Sequence, residues 1–265
     1  MKIFISADIE GVAGCTTWDE TEKDKGAYQS FAKQMTREVE AACIGANEAG
    51  AEEIVIKDAH DSGRNLDHSV LPRNTKLVRS WAGGLYSMVQ ELDSTYSALI
   101  YIGYHSAAGT DTNPLSHTMN TMLDKITING RIASEFLIHS YIAAYHDVPV
   151  VFVSGDKGLC IEAEGVVPGI RTVAVKEGRG NSTINIHPEL AADKIREGVR
   201  EVLSGNLESL KIKLPEEFDI NIRYKNHKDA YSRSFYPGAT KLDENTISFH
   251  SKDYIEVLRF FNYVV

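Results

Sequence analysis

The sequence predicts an α/β fold, in which helices flank a mostly parallel sheet and a smaller α+β part follows at the C-terminus. Three short apolar runs, at residues 3–5, 54–56 and 99–102, show no alternation of polar and apolar side chains. Such runs are typical of strands that are buried on both faces of a parallel sheet. Segments in which apolar residues recur at helical spacing alternate with the predicted strands, and this alternation changes after Lys176. With 265 residues, 43% of them hydrophobic and 25% charged, the chain can bury a complete core.

We predict a larger α/β domain over residues 1–177. Its first strand is followed by a helix, because Phe31, Met35 and Val39 recur at helical intervals and Gly50 suits the position after the last turn. Asn129-Gly130 between apolar residues is a strong signal for a β-hairpin. The other predicted elements are strands at residues 53–56, 76–78, 99–102, 149–153 and 171–175, and helices at residues 84–91 and 133–145.

The predicted C-terminal domain, residues 178–265, is smaller and has α+β character. Pro188 suits the first turn of a helix whose apolar residues recur at helical spacing as far as Gly205. Strands are predicted at residues 219–224 and 246–249, and a last helix begins at Tyr254.

Composition excludes several classes of function. A net charge of -9 argues against a nucleic-acid partner, because binding phosphates requires a concentrated basic surface. Three widely spaced cysteines without a Cys-x-x-Cys motif indicate neither a disulfide framework nor a cysteine zinc site. The first strand carries Asp8 and Glu10, which a secretory signal would not contain, and no apolar run approaches the roughly 20 residues that span a bilayer. We expect a cytoplasmic protein without a membrane partner.

Carboxylates and imidazoles follow directly after three of the predicted strands. They are Asp8-x-Glu10, Asp58-x-His60 and His105. Ligands of an open parallel sheet bind outside the carboxyl ends of its strands, so these side chains are predicted to converge. Such side chains are ligands of divalent zinc or manganese, and the pattern indicates a metal centre. Taken singly, Asp8 and Glu10 could be a solvated surface pair, Asp58 a helix cap and His60 a loop residue.

The chain resembles the zinc-dependent D-aminopeptidases of the DppA type. The motifs that carry the resemblance, in order, are Ser6-x-Asp8-x-Glu10-Gly11-x-x-Gly14, Asp58-x-His60 with Asn65-Leu66, Gly103-Tyr104-His105, Ser116-His117, Glu135 before a helix, and Asp147-Val-Pro-Val150. The likeness covers the first two thirds of the chain and continues more weakly to the C-terminus.

The resemblance implies a dinuclear zinc site in each subunit of a decamer made of two stacked pentamer rings. It makes Asp8 the ligand that bridges both ions, His117 the catalytic residue, and assigns the remaining ligands to Glu10, His60, His105 and Glu135. Five ligands, three of them carboxylates, suit two divalent ions. His117 lies on the long polar segment 106–124, which predicts a functional loop. From its position alone, Glu135 could instead be a first-turn acid that the helix dipole stabilises.

Three functions remain open. The first is a zinc aminopeptidase, with two ions per subunit, that releases an N-terminal D-residue such as D-alanine from short peptides. The second is another amidohydrolase or a phosphoesterase, since dinuclear carboxylate–histidine sites serve these chemistries too. The third is a non-enzymatic, metal-stabilised peptide-binding ring.

Three further residues receive ordinary interpretations. His139 shares a helix face with Glu135 but is expected to pack or to face solvent. Cys15 is expected to be a small packing residue beside the first ligands. Lys176 is expected to be solvated or to face the substrate.

Overall fold

The structure, a computed structural model, describes residues 1–265 and contains two β-sheets with six α-helices around them. The strands are β1 (Lys2–Ala7), β2 (Glu53–Asp58), β3 (Thr75–Val78), β4 (Ala98–Tyr104), β5 (Leu123–Ile128), β6 (Arg131–Ile132), β7 (Val150–Asp156), β8 (Arg171–Arg179), β9 (Ser182–Asn185), β10 (Phe218–Tyr224), β11 (Thr240–Lys241) and β12 (Thr246–Ser251). The helices are α1 (Tyr28–Glu48), α2 (Glu135–Tyr145), α3 (Lys157–Val166), α4 (Pro188–Leu203), α5 (His227–Arg233) and α6 (Tyr254–Val264).

The larger sheet has seven strands in the order β3-β2-β1-β4-β7-β8-β9, and every pair except β8–β9 is parallel. In its centre Ile5 of β1 pairs with Ile56 of β2 on one side and with Ile100 of β4 on the other. All three side chains are fully buried, as their unalternating runs predict. Successive strands lie on one side of β1 as far as β3, and the chain then crosses to β4 on the other side of β1. The switch point of the sheet, where ligands bind in such folds, therefore lies between β1 and β4. The predicted α/β class is confirmed.

The smaller sheet is antiparallel and has the order β11-β12-β10-β5-β6. It contains the predicted hairpin, in which Ile128 pairs with Arg131 around Asn129-Gly130. The chain before residue 177 supplies β5 and β6, and the chain after it supplies the other three strands. The division into domains 1–177 and 178–265 stays a prediction.

Most predicted helices and strands are present, but one prediction is wrong and two helices were missed. Residues 84–91 contain only a short 3-10 helix, Ser87–Val89. Ser87 and Glu91 have φ values of 40° and 77°, which an α-helix cannot accommodate. The missed helices are α3, which begins directly where β7 ends, and the short α5. No helix combines the length and the apolar character that a membrane crossing requires.

Two glycines bring the ends of β1 and β4 into close contact. The Gly11 amide donates to the Gly103 carbonyl at 2.8 Å, and the Asp8 amide donates to the Ile102 carbonyl at 2.8 Å. A Cβ on Gly11 would lie 1.7 Å from the Tyr104 carbonyl oxygen, and Gly103 has φ +69°. Only glycine fits these positions. The close approach places the residues that follow both strands next to one another.

Candidate active site

Six side chains meet at the carboxyl ends of the central strands. Two follow β1, one follows β2, one follows β4, one lies on the loop before β5, and one begins α2. We call this group the carboxylate–histidine cluster; its members are Asp8, Glu10, His60, His105, His117 and Glu135. All are buried except His117, which is partly buried. The structure thus brings together every side chain to which the resemblance assigned a ligand or catalytic role.

Asp8 lies between two groups of potential ligands. Its Oδ1 is 3.4 Å from His60 Nδ1, which is also 3.1 Å from Glu10 Oε2. Its Oδ2 is 3.5 Å from His105 Nε2, which is also 3.4 Å from Glu135 Oε2. One carboxylate therefore contributes an oxygen to each of two groups of three ligand atoms.

The three histidines are oriented by backbone carbonyls, which can only accept a hydrogen bond. His60 Nε2 lies 2.9 Å from the Thr21 carbonyl, and His105 Nδ1 lies 3.0 Å from the Ser106 carbonyl. His117 Nδ1 lies 2.9 Å from the carbonyl of Leu115. Each carbonyl accepts from the ring nitrogen that faces it, so in the neutral ring the other nitrogen has a free lone pair directed into the cluster. Histidines that bind metals are held in this manner.

Burial and charge shift the pKa values of the cluster in opposite directions. Burial, reinforced by the Glu10 carboxylate, raises the pKa of Asp8 well above its usual value. Burial would also raise the pKa of Glu135, but the His105 imidazole lowers it to about 2. Conversely, burial would lower the pKa of His105, but the Glu135 carboxylate raises it to about 10. Three carboxylates buried side by side repel one another, and a divalent cation between them would relieve that repulsion.

The cluster fits divalent metal ions by three criteria. Its donor set of carboxylates and imidazoles is one that zinc accepts. Two ligands that each lie about 2.0–2.1 Å from a tetrahedral ion are about 3.3 Å apart, close to the 3.1–3.5 Å separations around Asp8. Finally, Glu10 Oε2 and His105 Nε2 are buried without a hydrogen-bond partner. Unpaired buried polar atoms are costly, and a bound cation would satisfy both.

His117 lies at the open side of the cluster. Its ring stacks on that of His105, with centroids 4.2 Å apart and an interplanar angle of 11°. Its Nε2 is 3.6 Å from Glu135 Oε1, and Trp18 packs edge-on against it at 5.2 Å. Burial, followed by the charge of His105, lowers the pKa of His117, which favours the neutral imidazole. The geometry also groups its ring with Glu10 and His105 as a possible ligand set.

Asp58, which the sequence pattern groups with His60, has a supporting position. Its carboxylate accepts hydrogen bonds from the backbone amides of Asn65 and Leu66 at 2.5 and 2.8 Å. The Asn65 side chain donates both to Asp58 Oδ1 and to the His60 carbonyl, each at 2.7 Å. Asp58 therefore fixes the loop that carries His60 and does not face the cluster.

Lys176 is buried, so the expectation that it is solvated or faces the substrate is wrong. Its ammonium donates to the carbonyls of Glu10 and Cys15, and burial lowers its pKa. On the same loop, the Ala13 amide donates to the buried Glu38 carboxylate of α1 at 2.9 Å. Lys176 and Glu38 thus anchor the segment that carries Glu10. The predicted packing role of Cys15 is confirmed, since its side chain is fully buried.

A second set of contacts holds the loop that follows β4. The Asp156 carboxylate, at the end of β7, accepts from the Ser106 amide at 2.7 Å and from the Asn113 side chain at 3.1 Å. Asn113 also donates to the Glu10 carbonyl at 3.2 Å.

His139 is buried as well, and its Nδ1 donates to the Glu135 carbonyl at 2.7 Å, so it packs within α2 as predicted.

The cluster opens into a cleft of about 630 Å³. Both tryptophans of the chain, Trp18 and Trp81, line it, together with Met88, Met119 and other residues, but no lysine or arginine does. The motifs of the sequence did not point to Trp18 or Trp81. One signal could have identified them, because the only two tryptophans of the chain both lie in segments that connect elements of the larger sheet.

Comparison with known proteins agrees with this arrangement. The family model described as D-aminopeptidase matches residues 1–263. The chain belongs to the D-aminopeptidase family. It is 30% identical over 262 residues to the D-aminopeptidase of Bacillus subtilis (strain 168). The matched residues cover 97% of this chain and 93% of that protein. The family that the motifs indicated is confirmed, and the chain is an enzyme, an aminopeptidase of the hydrolase class.

A solved structure shares the fold over nearly the whole chain. It is described as the Zn-dependent D-aminopeptidase DppA from Bacillus subtilis, a self-compartmentalizing protease. The TM-score is 0.92 at 28% identity, over 98% of this chain and 95% of that chain. Both sheets described above therefore belong to an architecture that a member of the same family also has.

Proposed function

We propose that this chain is a zinc-dependent aminopeptidase that releases an N-terminal D-residue, such as D-alanine, from short peptides. The observation that carries the proposal is the position of Asp8, whose two oxygens face two separate groups of ligand atoms. Asp8 would bridge two ions. His60 and Glu10 would complete one site, and the other would use His105 and Glu135. The preference for a D-residue rests on membership of the family.

When bound, divalent zinc supplies Lewis acidity, which polarises a peptide carbonyl and makes water reactive near neutral pH. The chain's own residues prepare this chemistry. Thr21 and Ser106 hold the rings of His60 and His105 so that a free nitrogen faces the cluster. Glu135 is fixed by the Met119 amide, which donates to its Oε1 at 2.6 Å.

His117 would move the proton that hydrolysis requires. Its Nδ1–H is held by the Leu115 carbonyl, so its Nε2 is the nitrogen that can accept a proton and return it to the leaving amine. Burial lowers the pKa of His117, which favours the neutral ring, the form that accepts a proton. Trp18 also packs against the ring.

The composition of the cleft favours a peptide over a phosphoester. Enzymes that bind phosphoryl groups usually recruit arginine or lysine, and neither lines this cleft. Asp61 and Glu22 instead add negative charge to the lining. A free α-ammonium group suits such surroundings, as an aminopeptidase requires.

We also propose that the chain forms a closed ring assembly, as the related self-compartmentalizing protease does. Active sites inside an enclosed channel would admit short, flexible peptides and exclude folded proteins. The substrates would then be short peptides that contain D-residues.

The deciding experiment combines metal analysis with hydrolysis of D-Ala-D-Ala and L-Ala-L-Ala. We expect close to two zinc ions per subunit, release of D-alanine from the first peptide, and loss of activity on chelation that added zinc restores. Asp8→Asn should lose both ions, because a neutral amide bridges poorly. Two ions retained in that variant would remove Asp8 from the bridging position, and faster hydrolysis of the L-peptide would refute the D preference.

A further inference from the structure

Lys57 is a buried cation without a carboxylate partner. It is the residue before Asp58 at the end of β2, and its side chain is fully buried. Its ammonium donates to the Asp58 carbonyl at 2.6 Å and to the Ser80 carbonyl at 2.8 Å. A lysine ammonium has three donors, so one remains after these two bonds.

The remaining donor faces an aromatic ring. The Lys57 ammonium lies 3.7 Å from the centroid of the Trp81 ring, a distance typical of a cation–π contact. The Trp81 Nε1–H donates at 2.6 Å to the carbonyl of Asp61, which is the residue directly after His60. The indole is therefore held by a cation on one face and by a hydrogen bond at its edge.

Trp81 is held in this way although it lies at the surface. It is 38% exposed and lines the same cleft as Ala59, His60 and Asp61. Because Lys57 covers one face of the ring, the other face is the surface that Trp81 offers to the cleft. A rigid aromatic face in a cleft binds apolar side chains.

The two tryptophans contact different segments of the site. Trp18 packs against His117, the residue that would protonate the leaving amine. Trp81 is hydrogen-bonded to the carbonyl of Asp61, the residue after His60, and His60 belongs to the other ligand group of Asp8. The part of the peptide that leaves as the amine belongs on the Trp18 side, and the released N-terminal residue belongs on the Trp81 side.

We infer that Trp81 is a specificity-determining residue that binds the side chain of the substrate's N-terminal residue, and that Lys57 is the positioning residue that holds its ring. The inference rests on the proposed aminopeptidase function and extends it to a substrate class: short peptides whose first residue is apolar and larger than alanine. Trp18 plays no part in that selection.

The kinetic test varies the first residue and keeps the second constant. The substrates are Gly-D-Ala, D-Ala-D-Ala, D-Leu-D-Ala and D-Phe-D-Ala, and the variants are Trp81→Ala, Trp81→Phe, Lys57→Met and Lys57→Arg. Trp81→Ala should lose about tenfold more kcat/KM on the D-Leu and D-Phe peptides than on Gly-D-Ala, mainly through KM. Trp81→Phe should retain most of the preference. Lys57→Met should reproduce the loss, and Lys57→Arg should restore the preference.

Two controls separate binding of the side chain from general damage. Ile161→Ala removes a side chain that is 62% exposed and outside the cleft, and should leave the preference unchanged. In a second series the first residue is always D-alanine and the second residue varies. Each variant should change kcat/KM by the same factor for all peptides of this series. An equal loss across all first residues would show that Trp81 only supports the fold and would overturn the inference.

A binding measurement keeps the test independent of hydrolysis. Trp18→Phe leaves Trp81 as the only tryptophan, and its emission should change when D-Leu-D-Ala is added but not with Gly-D-Ala. In the matched variant Trp81→Phe, Trp18 is the only tryptophan and should respond equally to both peptides. If the wild type hydrolyses no dipeptide, the proposed function fails, yet the titration still decides the role of Trp81. An unchanged Trp81 emission contradicts the inference.

Discussion

At the scale of single residues, the cluster separates residues that would hold metal from one that would move protons. His60 and His105 face the two oxygens of Asp8, whereas His117 pairs with the carboxylate of Glu135, whose Oε1 lies 3.6 Å from its Nε2. His117 is also the most exposed member of the group. Loss of its ring should leave the surroundings of Asp8 intact.

We therefore predict that His117→Ala keeps its zinc and its KM but loses at least about a hundredfold in kcat, because removal of a general acid–base costs about 10²–10⁴-fold in rate. His60→Ala is the matched comparison and should lose zinc together with activity. Elemental analysis and steady-state kinetics on the same preparations measure both quantities. A His117→Ala enzyme that purifies without metal would place His117 among the ligands.

At the scale of secondary structure, the site depends on how closely β1 approaches β4. The residues after both strands meet because Gly11 and Gly103 allow backbone contact, and the loop after β1 is then anchored from α1 by Glu38 and from β8 by Lys176. Neither anchor carries out the proposed chemistry. Both act on the position of Glu10.

Gly11→Ala should destabilise the protein by more than about 3 kcal/mol and reduce its zinc content, because the added Cβ would lie 1.7 Å from the Tyr104 carbonyl oxygen and the strands would have to separate. Gly26→Ala is the control, since a Cβ there meets nothing within 4 Å. Urea unfolding of the metal-free proteins measures the difference. Equal stability of the two variants would show that the loop adapts without cost.

Glu38 predicts a pH dependence of stability. Burial raises its pKa from the usual 4.5 to about 7, so the folded state binds a proton more tightly than the unfolded state does. The contribution of Glu38 to the free energy of unfolding is therefore complete below pH 4.5 and is lost as the pH rises through 7. Glu38→Gln, which keeps an acceptor for the Ala13 amide, should therefore gain about 2 kcal/mol relative to the wild type between pH 5 and pH 8. Unfolding free energies of both proteins that change in parallel over this range would contradict the assignment.

At the scale of the whole molecule, the access of substrates to the cleft depends on what encloses it. A cleft of about 630 Å³ accommodates a short peptide, but a single subunit leaves it open to solvent. Enclosure would have to come from other copies of the chain.

Light scattering should report a large closed oligomer close to ten subunits, because a ring would enclose the active sites. Such an assembly should hydrolyse dipeptides and leave an unfolded protein such as reduced casein intact. A fully active monomer would show that enclosure plays no part in this chain.

The class of the fold could be predicted from the order of residues along the chain, whereas the family and the inclusion of His117 and Glu135 in the site came from the resemblance to known D-aminopeptidases. Buried parallel strands have an unalternating apolar pattern, and ligands bind at the ends of such strands, so the pattern alone groups Asp8, His60 and His105. The burial of Lys176, the supporting position of Asp58, and the contact between Lys57 and Trp81 became apparent only in the folded chain. Periodicity reports which face of an element is buried, but it carries no information about which residues from distant segments meet there.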